Sequence, residues 1–163
     1  VSAPAALSPA AQRVQAALDA HGLACEVVEH AVTARTSAEA ATALGCTVAE
    51  IAKSLVFRRG GDGAVLVIAS GANRVDERKV AALVGEPIGK ADAAFVREHT
   101  GYAIGGVPPL AHAHPSTTLV DADLLRFARV HAAGGMPNAT FAIRPADLVA
   151  ACGGRVADVR VDP

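Results

Sequence analysis

Apolar positions in the first third of the chain recur at helical spacing, and further along they gather into short β-prone runs. Val14, Ala17, Leu18 and Leu23 follow Ser8-Pro9, an N-cap with proline at the first helical position, and Gly22 supplies a stop. Cys25–His30 then predicts a short strand. Thr36-Ser-Ala-Glu39 has capping-box spacing and opens an alanine-rich helix to Gly45. A helical turn over Val48–Ala52 feeds a strand from Lys53 to Arg58. A second strand, Ala64–Ser70, lies beyond the hairpin signal Arg59-Gly-Gly-Asp-Gly63. The polar loop Asn73-Arg-Val-Asp76 caps a helix over Glu77–Val84, and Asp92 opens another that ends near His99-Thr-Gly101.

From Tyr102 the texture changes. Ile104-Gly-Gly-Val-Pro-Pro-Leu110 reads as a glycine–proline loop, Thr117–Val120 as a strand, and Asp121 as the cap of a short helix. Strands at Val130–Ala133 and Thr140–Ile143 flank the turn Gly134-Gly-Met-Pro-Asn138. A last helix, Asp147–Ala151, stops at Gly153-Gly154. No repeat and no linker interrupts this order, so residues 1–163 are expected to form one domain. Its class is mixed α/β, of α+β character, with much antiparallel pairing rather than a doubly wound parallel sheet.

Composition narrows the function classes. Apolar residues make up 52% of the 163 and charged ones only 19%, which argues against a disordered chain. The longest clean apolar runs, such as Ala64–Ala69, fall far short of the roughly 18 residues a bilayer span needs. The first residues, Val1-Ser-Ala-Pro-Ala-Ala6, do not read as a secretion signal, so a cytoplasmic protein is expected. Lys+Arg 15 against Asp+Glu 16 excludes binding to nucleic acid through bulk positive charge, but leaves room for a local patch. Cys25, Cys46 and Cys152 stand in no ligand or disulfide spacing, as in a reducing compartment. His112 and His114 are two apart without further ligands in spacing, so neither a metal nor a cofactor is expected.

Two features could carry chemistry. Arginine outnumbers lysine twelve to three, so each lysine is worth inspecting. Lys53 stands between Ile51-Ala52 and Leu55-Val-Phe57, where an ammonium must reach water, a partner or a ligand. It either faces solvent on an alternating strand or sits at the mouth of a pocket. In the second feature, Gly105-Gly106-Val-Pro-Pro109, paired glycines can present bare N–H groups to an anion, or simply make a turn. Asn73 and Arg74 follow a strand end, where loops carry function or merely cap helices. No nucleophile elbow or triad can be assembled.

The order of elements is similar to that of a known family. Val48-Ala-Glu-Ile-Ala-Lys-Ser-Leu-Val-Phe57, Val65-Leu-Val-Ile-Ala-Ser-Gly71 and Thr100-Gly-Tyr-Ala-Ile-Gly-Gly-Val-Pro-Pro-Leu110 resemble the YbaK/ProX family of aminoacyl-tRNA editing domains. Ala133-Gly-Gly135 and Pro145-Ala-Asp-Leu-Val149 look like its closing strands and helix, so the resemblance runs from about Leu18 to Val159. It implies a central mixed β-sheet wrapped by helices, and a trans-editing deacylase that hydrolyses the ester of a wrong amino acid on tRNA, most often tRNA for proline. The family's lysine falls on Lys53, and its glycine loop on Gly105 and Gly106, whose N–H groups would hold the carbonyl or the ribose. Ser54 follows the lysine. Asn138 and Thr140 are pocket candidates, and His30 and Thr33 could line the amino-acid side. Where the cysteine-specific branch carries a serine and an aspartate, this chain has Ala133 and Thr140, which suits Ala, Ser, Thr or another small residue at least as well as Cys.

An aminoacyl ester is already activated, so the implied chemistry needs positioning and charge stabilisation rather than a covalent nucleophile. The expected partners are mischarged tRNA and a synthetase, with a local patch drawn from Arg58, Arg59, Arg74 and Arg78. A non-catalytic module binding aminoacyl-tRNA or a nucleotide, and a hydrolase of another small ester, stay open at this point.

Overall fold

The computed structural model describes residues 6–163, so the leader reading of the first five residues lies outside it. The chain opens with α1 (Pro9–Ala20), where the Ser8 hydroxyl accepts from Ala11 N and the stripe Ala11, Val14 and Leu18 is buried. Strand β1 (Val28–Glu29) is shorter than the alternation suggests, because it pairs with β7 at only two positions. Helix α2 (Ser37–Leu44) starts at Thr36, whose hydroxyl accepts from Glu39 N, and ends on left-handed Gly45.

The expected turn at Val48–Ala52 is a single 3-10 turn, Val48–Glu50, and β2 (Ile51–Arg59) begins two residues early. Tertiary pairing takes those residues: Ile51 and Ala52 run parallel to His131 and Ala132. There follow β3 (Gly63–Ser70), α3 (Glu77–Val84), β4 (Ile88–Lys90), α4 (Ala93–Thr100) and β5 (Thr117–Asp121). A 3-10 turn (Ala122–Arg126) leads to β6 (Val130–Ala133), β7 (Ala139–Ile143), α5 (Pro145–Cys152) and β8 (Arg155–Ala157). Three-residue β4 and β8 escape sequence reading, since three positions carry no period.

Together the strands form one mixed sheet in the order β1-β7-β6-β2-β3-β5-β8, with β4 also on β2. β2 is antiparallel to β3 and β4; β3–β5, β5–β8 and β2–β6 are parallel. Strand β3 is buried on both faces, which explains its unbroken apolar run. Its Leu66 and Ile68 pack with Val14, Leu18, Val96, Leu124 and Leu148 on one side of the sheet. Val65, Val67 and Ala69 pack with Val80, Leu119 and Val159 on the other.

The feature that positions the site is a break in this sheet. Beside the edge of β2 opposite β3, β6 pairs with Ile51 and Ala52, and β4 pairs with Phe57 to Arg59. Between them, Lys53–Val56 have a sheet neighbour on one edge only.

Candidate active site

Where β6 ends at Ala133 and β2 runs on, a crevice of about 230 Å³ opens. Successive strand side chains point to opposite faces, so Lys53 and Ser54 leave β2 in opposite directions. Both nonetheless line the crevice, because it wraps around the unpaired edge between them. Backbone groups contribute as well. Gly71 N donates to Ile51 O at 2.7 Å, which fixes the carbonyl of Ile51 toward β3. Alternation along the strand then turns the N–H and C=O of Ser54 toward the open edge.

Lys53 is half-buried, and among the described residues its ammonium makes no hydrogen bond or ion pair. Burial pushes its pKa below the ordinary lysine value, and the Asp121 carboxylate opposes that shift. Ser54 is stranded in a complementary way: its Oγ is buried and, among the described residues, is the one such side-chain atom without a partner. Leaving a buried hydroxyl unpaired costs about 1–3 kcal/mol. The strand therefore carries a cation and a hydroxyl that the protein itself does not satisfy.

The glycine loop closes one side, and its two glycines do different things. Gly105 lines the crevice with φ 91°, a left-handed conformation that favours glycine, and its N–H is free among the described residues. Gly106 is not on the wall. Its N–H donates to Ala103 O at 2.9 Å, and a Cβ there would stand 2.8 Å from the carbonyl carbon of Met136. The expected pair of N–H donors is thus reduced to one, because a turn hydrogen bond takes the other; Gly106 instead lets two loops meet.

Just beyond Met136 and Pro137, which this loop meets, residues more than a hundred positions apart converge. His30 Nε2 lies 2.8 Å from Thr140 Oγ1, His30 N donates to Asn138 O, and Asn138 Nδ2 donates to His30 O. All three line the crevice. Thr33 does not: it is exposed on the loop before α2, while Ala34, Arg35, Thr36 and Ser37 beyond it reach the wall.

The rest of the wall is unmarked in the sequence. Ala40, Ala43 and Leu44 of α2, with Ile51 and Ala132, make it small and apolar, and alanine carries no chemical signal to find it by. His131, paired with Ile51, lines the crevice as well, which its place in the sequence does not signal. Burial pushes its pKa below the usual imidazole value, with Glu50 opposing.

The four arginines expected to form a local patch come from two stretches of the chain, one on β2 and one beyond β3. Arg58 and Arg59 stand at the turn end of β2, where Arg58 lies over Phe95 at 4.4 Å and Arg59 pairs with Glu86. Arg74 and Arg78 follow Ser70, which pairs with Ala52 at the other end of the strand. Arg35, on the crevice wall, is the arginine at hand. His112 Nε2 bonds Pro108 O at 2.6 Å and His114 leans on His99, so the His-x-His pair is used in packing. No helix among the described residues is long and apolar enough to cross a membrane.

Comparison with known proteins adds what geometry alone does not give. Residues 31–151 match the family described as the aminoacyl-tRNA editing domain. The chain is 34% identical over 123 residues to uncharacterized protein YwhH of Bacillus subtilis (strain 168), covering 76% of this chain and 78% of that one. A crystal structure described as "a putative trans-editing enzyme for prolyl tRNA synthetase" superposes with a TM-score of 0.91 at 47% identity, over 96% of this chain and 100% of that one. Hypothetical protein APE2540 superposes at 0.85 with 36% identity, over 91% and 99%.

Proposed function

The chain belongs to the aminoacyl-tRNA editing domain family, and from that premise we propose that it is a deacylase acting in trans on mischarged tRNA. The substrate we infer is tRNA for proline carrying a small wrong amino acid, namely Ala, Ser, Thr or Cys. One observation carries the reading: Lys53 and Ser54 bring an unpaired ammonium and an unpaired buried hydroxyl to the same alanine-walled crevice. Its 230 Å³ is below the ~300 Å³ at which pockets for drug-sized ligands begin, which suits an aminoacyl group and part of a ribose.

In this reading the ester carbonyl lies between Lys53 and the Gly105 N–H. A water, oriented by the neighbouring ribose hydroxyl, gives up a proton as it adds to the carbonyl carbon, and negative charge grows on the carbonyl oxygen. The Lys53 ammonium and the Gly105 N–H stabilise that charge in a site partly closed to water, where such donors act most strongly. Collapse breaks the acyl carbon–oxygen bond, and the departing ribose oxygen takes up a proton. Ser54, with its Oγ and edge-facing backbone groups, holds the ribose, while His30, Asn138 and Thr140 fix the far wall against the amino acid. Discrimination then rests chiefly on volume. One methylene in an apolar pocket is worth about 1–3 kcal/mol, enough to exclude larger side chains in part.

The test is a panel of proline tRNA charged with Ala, Ser, Thr, Cys or Pro. Fast release of one small wrong amino acid with Pro spared is expected. Binding of every member without turnover would make the protein a binding module instead.

A further inference from the structure

Among the described residues Lys53 has no partner in contact, yet a buried-side ammonium needs a counter-charge somewhere. Strand register points to one. β2 and β3 pair Lys53 with Ala69, and the parallel register of β3 and β5 runs from Val65↔Thr117 to Ile68↔Val120. One step further sets Ala69 beside Asp121. Residues in register share a face, so Lys53, Ala69 and Asp121 stand in a row on three adjacent strands, with only a methyl group in the middle. Two strand spacings of ~4.8 Å separate the outer pair of Cα atoms by about 10 Å.

Asp121 is 1% exposed. Its Oδ2 accepts from Ser70 N at 3.0 Å and Asn73 Nδ2 at 2.9 Å, and its Oδ1 accepts from Asp123 N at 2.9 Å. All three donors are neutral. The arginines nearby, Arg126 and Arg160, pair with Asp123 instead, to which Asn73 also donates. Two buried or half-buried groups of opposite sign, neither with an ionic partner in contact among the described residues, thus flank Ala69.

We propose that Asp121 is a positioning residue for the editing reaction: its carboxylate, held by Asn73, is the counter-charge that lets Lys53 stand at the crevice as an ammonium. This rests on the deacylase reading for its purpose, though not for its physics. It also gives Asn73 a task that neither the strand end nor the helix cap explains.

The experiment is an NMR titration of 13C-labelled lysine, in which the three lysines are told apart by loss of the Lys53 signal in Lys53→Met. In Asp121→Asn the Lys53 midpoint is expected to fall to lower pH, whereas Asp123→Asn, with the same charge change, leaves it in place. An unmoved midpoint in folded Asp121→Asn, or an equal fall in both variants, overturns the proposal. The wild type supplies a second readout should Asp121→Asn fail to fold. A partner inside the protein is screened little by salt. A Lys53 midpoint that holds between low and high salt therefore agrees, and one that moves as much as that of Lys90 overturns the assignment. Neither readout uses tRNA, so loss of the deacylase reading would leave the pairing standing. Where deacylation is present, Asp121→Asn should lose it at lower pH than wild type does.

Discussion

Lys53 and Lys79 are two of only three lysines in the chain, and the fold treats them in opposite ways. The Lys79 ammonium touches Asp158 at 2.9 Å, Asp162 at 2.7 Å and Arg160 O at 2.8 Å. Those contacts tie α3 to the end of the chain, where Asp76 N and Arg74 O also bond Val159 and Val161. Its hydrogen bonds to Asp162 and Asp158 push its pKa up, whereas burial pushes that of Lys53 down. A cation whose hydrogen-bonding capacity is met by its own chain holds structure together. One left unsatisfied in a crevice sits there at a cost to stability, which is understandable if a ligand completes it.

The largest expected effect is on Lys53 itself. Replacing it with Ala should lower single-turnover deacylation by about 10²–10³-fold, the usual loss on removing one charge-stabilising donor. Stability should move the other way. Because the folded-state pKa is depressed, the cost of the charge is fully present below that value and is relieved as pH rises toward 10.5. Thermal melts of Lys53→Met should therefore lie at or above wild type near pH 7 and converge with it in alkali.

Gly106→Ala should damage stability and activity together, by about 1–3 kcal/mol in unfolding free energy, since its methyl group would push into the Met136–Pro137 backbone. Urea melts and rates on the same sample would separate this from Lys53→Ala. Ser54→Ala is milder. Removing an unpartnered buried hydroxyl should leave the melting temperature unchanged or slightly raised, while KM rises roughly 3–10-fold through a lost ligand hydrogen bond. The smallest effect belongs to Lys79→Met, with deacylation unchanged and a small fall in melting temperature. Its raised pKa makes that contribution complete below 10.5 and lost as pH rises through the folded value, so variant and wild type should meet in strong alkali.

Much of the fold was legible because its helix starts are written in local chemistry. Ser8-Pro9, Thr36 with Glu39, Asp76 and Asp92 each cap as the sequence suggests. The β2–β3 hairpin was legible from its glycine-rich turn. β4 and β8 were not, being three-residue strands that exist only through their partners. Lys53 drew notice by standing among apolar neighbours. The break in the sheet that makes it a site depends on where β6 stops and β4 starts, which no local signal encodes. The meeting of His30 with Asn138 and Thr140, and the alanine wall of α2, lie beyond local reading for the same reason. Gly106 shows the converse: a pattern that looks like an anion nest is spent on a turn.

The central claim is that the unsatisfied lysine, and not the satisfied one, does the chemistry. Single-turnover release of the amino acid from the best substrate of the panel, measured for wild type, Lys53→Ala and Lys79→Ala with melts on each, tests it directly. The account predicts a loss of at least about 100-fold in Lys53→Ala without loss of stability, and a rate within about twofold of wild type in Lys79→Ala. Equal rates in wild type and Lys53→Ala would contradict it.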